Sequence, residues 1–358
     1  MDPVAHTLVG AALAETGLKR LSRYATATLL IAANLPDIDA VAGFWGRDVA
    51  LYFRRGWSHG VLALVLLPLL LAAAVWLWHR WRGRAADDGP PFRPRAILAL
   101  SAVGVWSHPL LDWLNTYGVR LLMPFDGRWF YGDTLFIVDP WVWLLAAAGV
   151  VVARPWNRWA TLAWIGLAGL ATAFILDSGV ASPGIAVTWL AGLTALPVLR
   201  WRMRASTQAL PLAQAGLATL VLYICVVYGI ARVAESMAAG RFAAPLEVQS
   251  NPVPGRPASH RLVLVYDDFY RIVTADGEVH ALRREPPDRI VQAALASPAI
   301  RGFANWMRFP YWQVEEQPDH WVVRFWDLRY QSPVEPQARG IGGVEVQVTK
   351  AALQPGSP

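Results

Sequence analysis

Six stretches of the chain, 60–78, 96–106, 141–153, 159–176, 185–199 and 212–231, contain no Asp, Glu, Lys or Arg and consist mostly of Leu, Val, Ile, Ala and Trp. A run of about 20 such residues is long enough to cross the hydrocarbon core of a bilayer. It must do so as a helix, because only a helix satisfies every backbone N–H and C=O within one segment where there is no water. The composition points the same way. The 358 residues are 55% hydrophobic and 16% charged, whereas soluble domains average about 25% charged. Tryptophans gather at the run ends (Trp76, Trp78, Trp81, Trp141, Trp143, Trp156 and Trp159), the positions of an interfacial belt. The net charge of +6 comes partly from arginines between the runs, so it speaks to orientation in a membrane, and no nucleic-acid partner is expected. A single cysteine, Cys225, permits no internal disulfide.

Two shorter apolar segments, 4–18 and 21–35, precede these runs. Each would be about 22 Å long as a helix, marginal for a full crossing, which leaves short, tilted or re-entrant helices open. The expected fold is mainly α: a polytopic bundle of about eight hydrophobic segments over residues 1–240, with the sequence motifs in 1–140. A small α+β extramembrane domain over 241–358, ending in a flexible tail, would follow. In that domain 260–266, 270–275, 311–316, 320–330 and 344–349 read as strands, Asp276-Gly277 as a hairpin turn, and 288–296 as a short helix. Ser297-Pro298 opens another helix as cap and first-turn proline.

Basic residues set the expected sidedness. The stretch 80–95, Arg154 with Arg158, and Arg200, Arg202 and Arg204 recur at alternate connections and belong to the cytoplasm, as does Lys19–Arg23 if the first two segments cross. Residues 34–57, 113–139, 177–184 and the C-terminal domain then lie outside. This topology gathers polar residues at one depth. His6 opens the first segment, and Asn34-Leu35-Pro36-Asp37-Ile38-Asp39 leaves the second. Arg54-Arg55-Gly56-Trp57-Ser58-His59 enters the next helix, and His108 and Asp112 close the one after it. His108 and Asp112 are four apart, which stacks them on one helical face.

Ionisable groups at membrane depth are unfavourable unless paired or functional. Imidazole and carboxylate are also the donor types for Zn²⁺, with Mn²⁺ or Fe²⁺ as alternatives. The expected ligands are His6, Asp37, His59, His108 and Asp112. Asp39 is the expected second ligand or general base, and Arg55 the clamp for an anionic substrate oxygen. A divalent metal lowers the pKa of a water it holds towards about 7, which is the chemistry of a hydrolase. Plainer readings compete at each position. His6 can be an interfacial polar residue, Asp37 and Asp39 a turn, Ser58 a helix cap, and His108 with Asp112 a bond between helices. Asp133 and Asp139 read as loop and cap acids, and His79, His260, His280 and His320 lack ligand spacing.

The ordered set His6-Thr7-x-x-Gly10, Leu35-Pro36-Asp37-Ile38-Asp39, Arg55-Gly56-x-Ser58-His59 and His108-x-x-x-Asp112 resembles the YdjM-like family. These are LexA-regulated, inner-membrane-associated bacterial proteins classed as metal-dependent hydrolases. The resemblance covers roughly residues 1–150. It implies a multi-pass inner-membrane protein with these residues at a metal-dependent hydrolase site. The chain departs from the family pattern at Ser58-His59-Gly60, where Thr-His-Ser is expected. The ligand types and their order are also similar to those of zinc-dependent phospholipases C.

The functional expectation is therefore an outward-facing, metal-dependent hydrolase at the membrane boundary, with membrane lipids as surroundings and a lipid or lipid-linked phosphoester as substrate. A non-catalytic membrane scaffold that binds a partner is the alternative. A transporter or proton relay is disfavoured by helix centres bare of charge.

Overall fold

The apolar runs do form helices, but they divide into two kinds. A computed structural model describes residues 1–82, 89–153, 157–177, 182–203, 209–335 and 341–353. In chain order the helices α1 (Pro3–Glu15), α2 (Ala25–Ala32), α3 (Arg47–Phe53), α4 (Val61–Arg82), α5 (Pro94–Trp113), α6 (Pro140–Ala153), α7 (Arg158–Asp177), α8 (Pro183–Met203) and α9 (Ala209–Arg241) come first. Strands β1 (Glu247–Val253), β2 (Arg256–Val265), β3 (Phe269–Val273) and β4 (Val279–Arg283) follow, then helices α10 (Arg289–Leu295) and α11 (Arg301–Trp306). Strands β5 (Pro310–Glu316), β6 (His320–Asp327) and β7 (Gly343–Thr349) complete the chain. A 3-10 helix, Leu35–Trp45, lies between α2 and α3. The centre of the expected basic loop 80–95, Arg154, Arg204, residues 178–181 and the end of the C-terminal tail lie outside the described residues.

Among the described residues four helices, α4, α7, α8 and α9, are long and apolar enough to cross a bilayer. A fifth crossing results only if α2 and the 3-10 helix, bent by 43° at their junction, are one span. The expectation of about eight segments is corrected to four or five. The reason is length and polarity. The 13 residues of α1 and 14 of α6 reach about 20 Å each, short of the roughly 30 Å hydrocarbon core. The 20-residue α5 is long enough, but it carries Arg95, Ser101, Ser107, His108 and Asp112.

These helices bury one face in protein. In α1 it holds Ala5, His6, Leu8, Val9, Gly10 and Ala12. Asp2 caps α1, its carboxylate accepting from the N–H groups of Val4 and Ala5, and Pro3 occupies the first turn, where its missing N–H is harmless. Small residues let α1, α2 and α5 approach closely. A Cβ at Gly10 of α1 would come within 2.9 Å of Ala33 Cβ and 3.0 Å of the Leu29 carbonyl. One at Gly104 of α5 would come within 2.4 Å of Ala32 Cβ. The stretch 113–139, read from sequence as a polar loop, is folded inward. Gly132 N–H donates to Trp113 O (2.6 Å), the N–H groups of Thr134 and Leu135 donate to Leu114 O, and Val119 and Leu135 are fully buried.

The chain divides into two compact units. The first comprises Met1–Ile38, Arg55–Ala231 and Pro252–Ser259. Its core joins Ala5, Leu8 and Val9 to Leu111, Leu135, Trp143, Trp189 and Leu220. The second comprises Asp39–Arg54, Arg232–Asn251 and His260–Pro358. It holds a four-stranded sheet, β1-β2-β3-β4, and a three-stranded sheet, β5-β6-β7. The pairs β2–β3, β3–β4, β5–β6 and β6–β7 are antiparallel. Its core contains Val263, Tyr270, Ile272, Leu282, Phe309 and Leu328. Gly277 of the expected turn has φ +88°, the left-handed region that glycine enters freely. Asp288 caps α10 by accepting from Val291 N–H. Strands β1 and β4 were not anticipated, and neither was α3, which belongs to this unit. Asp48 of α3 caps α11: its two oxygens accept from the N–H groups of Gly302 and Phe303 at 2.9 Å each.

Candidate metal centre

Four separate elements of the first unit deliver the expected ligands. His6 comes from α1, Asp37 from the first turn of the 3-10 helix, His59 from the turn before α4, and His108 and Asp112 from adjacent turns of α5. His6, His59, His108 and Asp112 have no solvent exposure. His59 Nε2 lies 3.1 Å from His108 Nε2 and 3.2 Å from Asp112 Oδ2. His108 Nε2 lies 3.5 Å from Asp112 Oδ2 and 3.7 Å from Asp37 Oδ1. One donor atom from each of these four residues lies within 4.8 Å of all the others.

The spacing and the proton positions both fit a cation. Donors held 2.0–2.1 Å from a tetrahedral zinc are about 3.3–3.4 Å from one another, in the middle of the distances found. His108 Nδ1 lies 2.6 Å from the Ala33 carbonyl. A carbonyl only accepts, so Nδ1 carries the proton and Nε2 presents its lone pair. Ser58 Oγ stands 3.0 Å from His59 Nδ1 and can orient that ring in the same way. With His59 Nε2 3.1 Å away and the carboxylates of Asp37 and Asp112 beside it, the His108 lone pair belongs to a donor set that could hold a metal ion.

The fifth expected ligand is adjacent and differently engaged. The His6 ring stacks on His108 (centroids 3.6 Å apart, planes 12° apart), and its Nε2 is 3.3 Å from the other oxygen of Asp112, Oδ1. Arg55 is buried, with φ +53°. Its Nε meets Asp112 Oδ2 at 3.0 Å, its Nη1 donates to Asn115 Oδ1 (2.8 Å) and Gly118 O, its Nη2 donates to Met1 O, and it lies over the Tyr117 ring. Most of the guanidinium is therefore engaged with protein atoms, an arrangement that orients Asp112. The α-amino group of Met1 also pairs with Asp112. Asp39 falls in the second unit, with its Oδ1 3.6 Å from Arg54 Nε.

Other polar residues have structural partners. Asp139 Oδ1 accepts from the N–H groups of Trp141 and Val142 at the start of α6, and Oδ2 accepts from Tyr223 O–H. Burial pushes its carboxyl above the usual carboxylate range. Asp133 is buried with φ +45°. His79 stacks on Phe92, and His260, His280 and His320 sit beside Ser250, Glu278 and Asp319.

Sequence reasoning passed over Asn115, Tyr117 and the Ala33 carbonyl, and it read Ser58 only as a helix cap. Asn115 could have been found, since it lies one helical turn beyond Asp112. The carbonyl left no trace in residue type. Thr7 has a place as well: Asn34 Nδ2 donates to its Oγ1 at 3.0 Å, tying α1 to the approach to Asp37. The departure at Gly60 is explained by space, because a Cβ there would stand 2.2 Å from the Met123 carbonyl oxygen. A serine could not occupy this position without moving that loop.

Comparison with known proteins agrees with this geometry. Residues 1–181, which contain every member of the cluster, match the YdjM inner membrane protein family. The uncharacterized protein YfhP of Bacillus subtilis (strain 168) is 23% identical over 307 residues, covering 85% of this chain and 76% of that protein. No solved structure matches. The match extends over half of the sequence and includes all four elements that supply the buried His/Asp cluster, and the chain belongs to the YdjM inner membrane protein family.

Proposed function

We propose that the cluster is the divalent-metal centre of a membrane-embedded hydrolase, with zinc the first choice and manganese or iron as alternatives. The observation that carries this is the convergence of Asp37, His59, His108 and Asp112, one donor atom from each lying within 4.8 Å of all the others, a donor set of the kind that holds zinc. Asp37, His59, His108 and Asp112 would hold the ion. A bound divalent cation supplies Lewis acidity and a more acidic water.

The protein's own groups do the rest. The Ala33 carbonyl holds His108 in the tautomer that presents Nε2, and Ser58 can orient the His59 ring. Arg55 acts through Asp112, fixing its carboxylate, and His6 packs behind His108 and beside Asp112. Asp39, two residues from Asp37, is the candidate proton acceptor. The substrate class we favour is a phosphoester of a lipid or lipid-linked molecule. Its support is the location of the cluster at the end of α4 opposite Arg80 and Arg82 and at the end of α5 opposite Arg95. By the positive-inside rule those basic ends are cytoplasmic, so the centre and the C-terminal domain face the outside of the inner membrane.

The test is metal analysis of protein purified in detergent, beside His59→Ala and His108→Ala, with hydrolysis of a phosphodiester in mixed micelles followed before and after chelation. The expected result is about one equivalent of metal in the parent, at least tenfold less in either variant, and activity lost on chelation and restored by zinc. Equal, near-zero metal in all three proteins would leave the scaffold reading in its place.

A further inference from the structure

The 3-10 helix that supplies Asp37 has a second face. Eleven residues in 3-10 form are unusual, and with three residues per turn the side chains at i and i+3 eclipse. Ile38, Val41 and Phe44 therefore form one straight ridge. They are 62%, 50% and 86% exposed. Asp37 begins a different row, followed by the small residues Ala40 and Gly43, and its carboxylate reaches His108. Trp45, 69% exposed, ends the helix.

We infer that this ridge is a lipid-contacting surface: the 3-10 helix lies in the plane of the membrane interface, with Ile38, Val41 and Phe44 in the acyl-chain boundary. Three observations identify lipid as the occupant. First, the helix begins just past α2 and turns by 43° from it, so its axis leaves the direction of the preceding helix. Second, an exposed indole at its end and another at Trp57 are the anchors that interfacial segments carry. Third, α2 and the 3-10 helix taken together are apolar enough for a membrane segment, as a broken span or a re-entrant loop. The contact does not depend on the metal reading. Its bearing on substrate does rest on that reading: a lipid-borne substrate would meet the ridge beside the element that supplies Asp37.

The experiment is site-directed spin labelling of the full chain in phosphatidylcholine–phosphatidylglycerol vesicles. Single nitroxides are placed by Ile38→Cys, Val41→Cys, Phe44→Cys, Ala40→Cys or Gly43→Cys in a Cys225→Ser background. The ridge positions are exposed, so labels there leave no cavity. Collision with oxygen and with a nickel chelate is compared at each site. We expect high oxygen and low chelate access at 38, 41 and 44, at a common depth of about 5–10 Å, and the reverse at 40 and 43. Chelate access at 44 equal to that at 43 would overturn the proposal, and so would depth increasing steadily from 38 to 44, the signature of a crossing. Metal content measured on the same samples separates the two readings. An ion-free protein with a lipid-immersed ridge removes the hydrolase and keeps the interface, and a metal-loaded protein with a water-exposed ridge does the opposite.

Discussion

α1 and α7 are both apolar helices of the first unit, and they meet opposite surroundings. Most of α1 is buried in protein, whereas only 6% of the spanning window of α7 is buried. The group of α1, α2 and α5 carries glycine at its crossings and histidine and aspartate at its ends. The lipid-facing group, α4, α7, α8 and α9, carries almost nothing but apolar bulk. Charged groups avoid hydrocarbon, so a His/Asp cluster near a bilayer needs helices that shelter it from lipid, and these are too short or too polar to be spans themselves. Counting apolar runs merges the two groups, which is why it gave about eight.

Substitutions should separate the groups in a definite order, read as thermal unfolding in detergent. The largest effect is expected for Asp112→Asn, which leaves the buried Arg55 guanidinium without its charge partner. A loss of about 3–5 kcal/mol follows when one member of a buried pair is removed, and metal should be lost with it. Wild-type stability in this variant would mean that Arg55 is held by Asn115 and Gly118 alone. Gly104→Val comes next. Its methyls have no room against Ala32, and overpacking of this kind typically costs about 1–3 kcal/mol; no change would show that α2 and α5 can part freely. Thr7→Val removes the Asn34 bond for about 1 kcal/mol, with a measurable fall in metal affinity because the approach to Asp37 loosens. The smallest effect is expected for Gly166→Ala on α7, where a Cβ meets nothing within 4 Å. Helix propensity favours alanine there, so a loss above about 0.5 kcal/mol would break the contrast by showing that α7 has a protein neighbour.

The site was more legible than the fold. Ordered His and Asp motifs at the ends of apolar runs were enough to bring Asp37, His59, His108 and Asp112 together, because each motif is local and its residue types are rare in such surroundings. The role of Arg55 was not readable. A guanidinium can clamp a substrate or brace a carboxylate, and only the positions of Asn115, Gly118 and Asp112 distinguish these. Nor was the inward fold of 113–139, since its buried Asn115, Thr116 and Thr134 look solvated by type alone. In the C-terminal unit β1 escaped notice because Ser250, Asn251 and Pro252 interrupt its apolar pattern. β5, β6 and β7, with Trp312, Val314, Val322, Val323, Phe325, Val346 and Val348, did not.

Residues 39–54, bracketed by Asp37 and His59, complete their packing with Gly302 and Phe303, about 254 positions downstream of Asp48. During synthesis at about 5–20 residues per second, the motif helices emerge early, while the segment joining two of their ligands lacks its partner for the better part of a minute at the slower rate. A ribosome stalled before α11, or a transcript truncated there, would leave that segment unbraced in an otherwise inserted protein. Bracing of this segment is therefore tied to completion of the polypeptide.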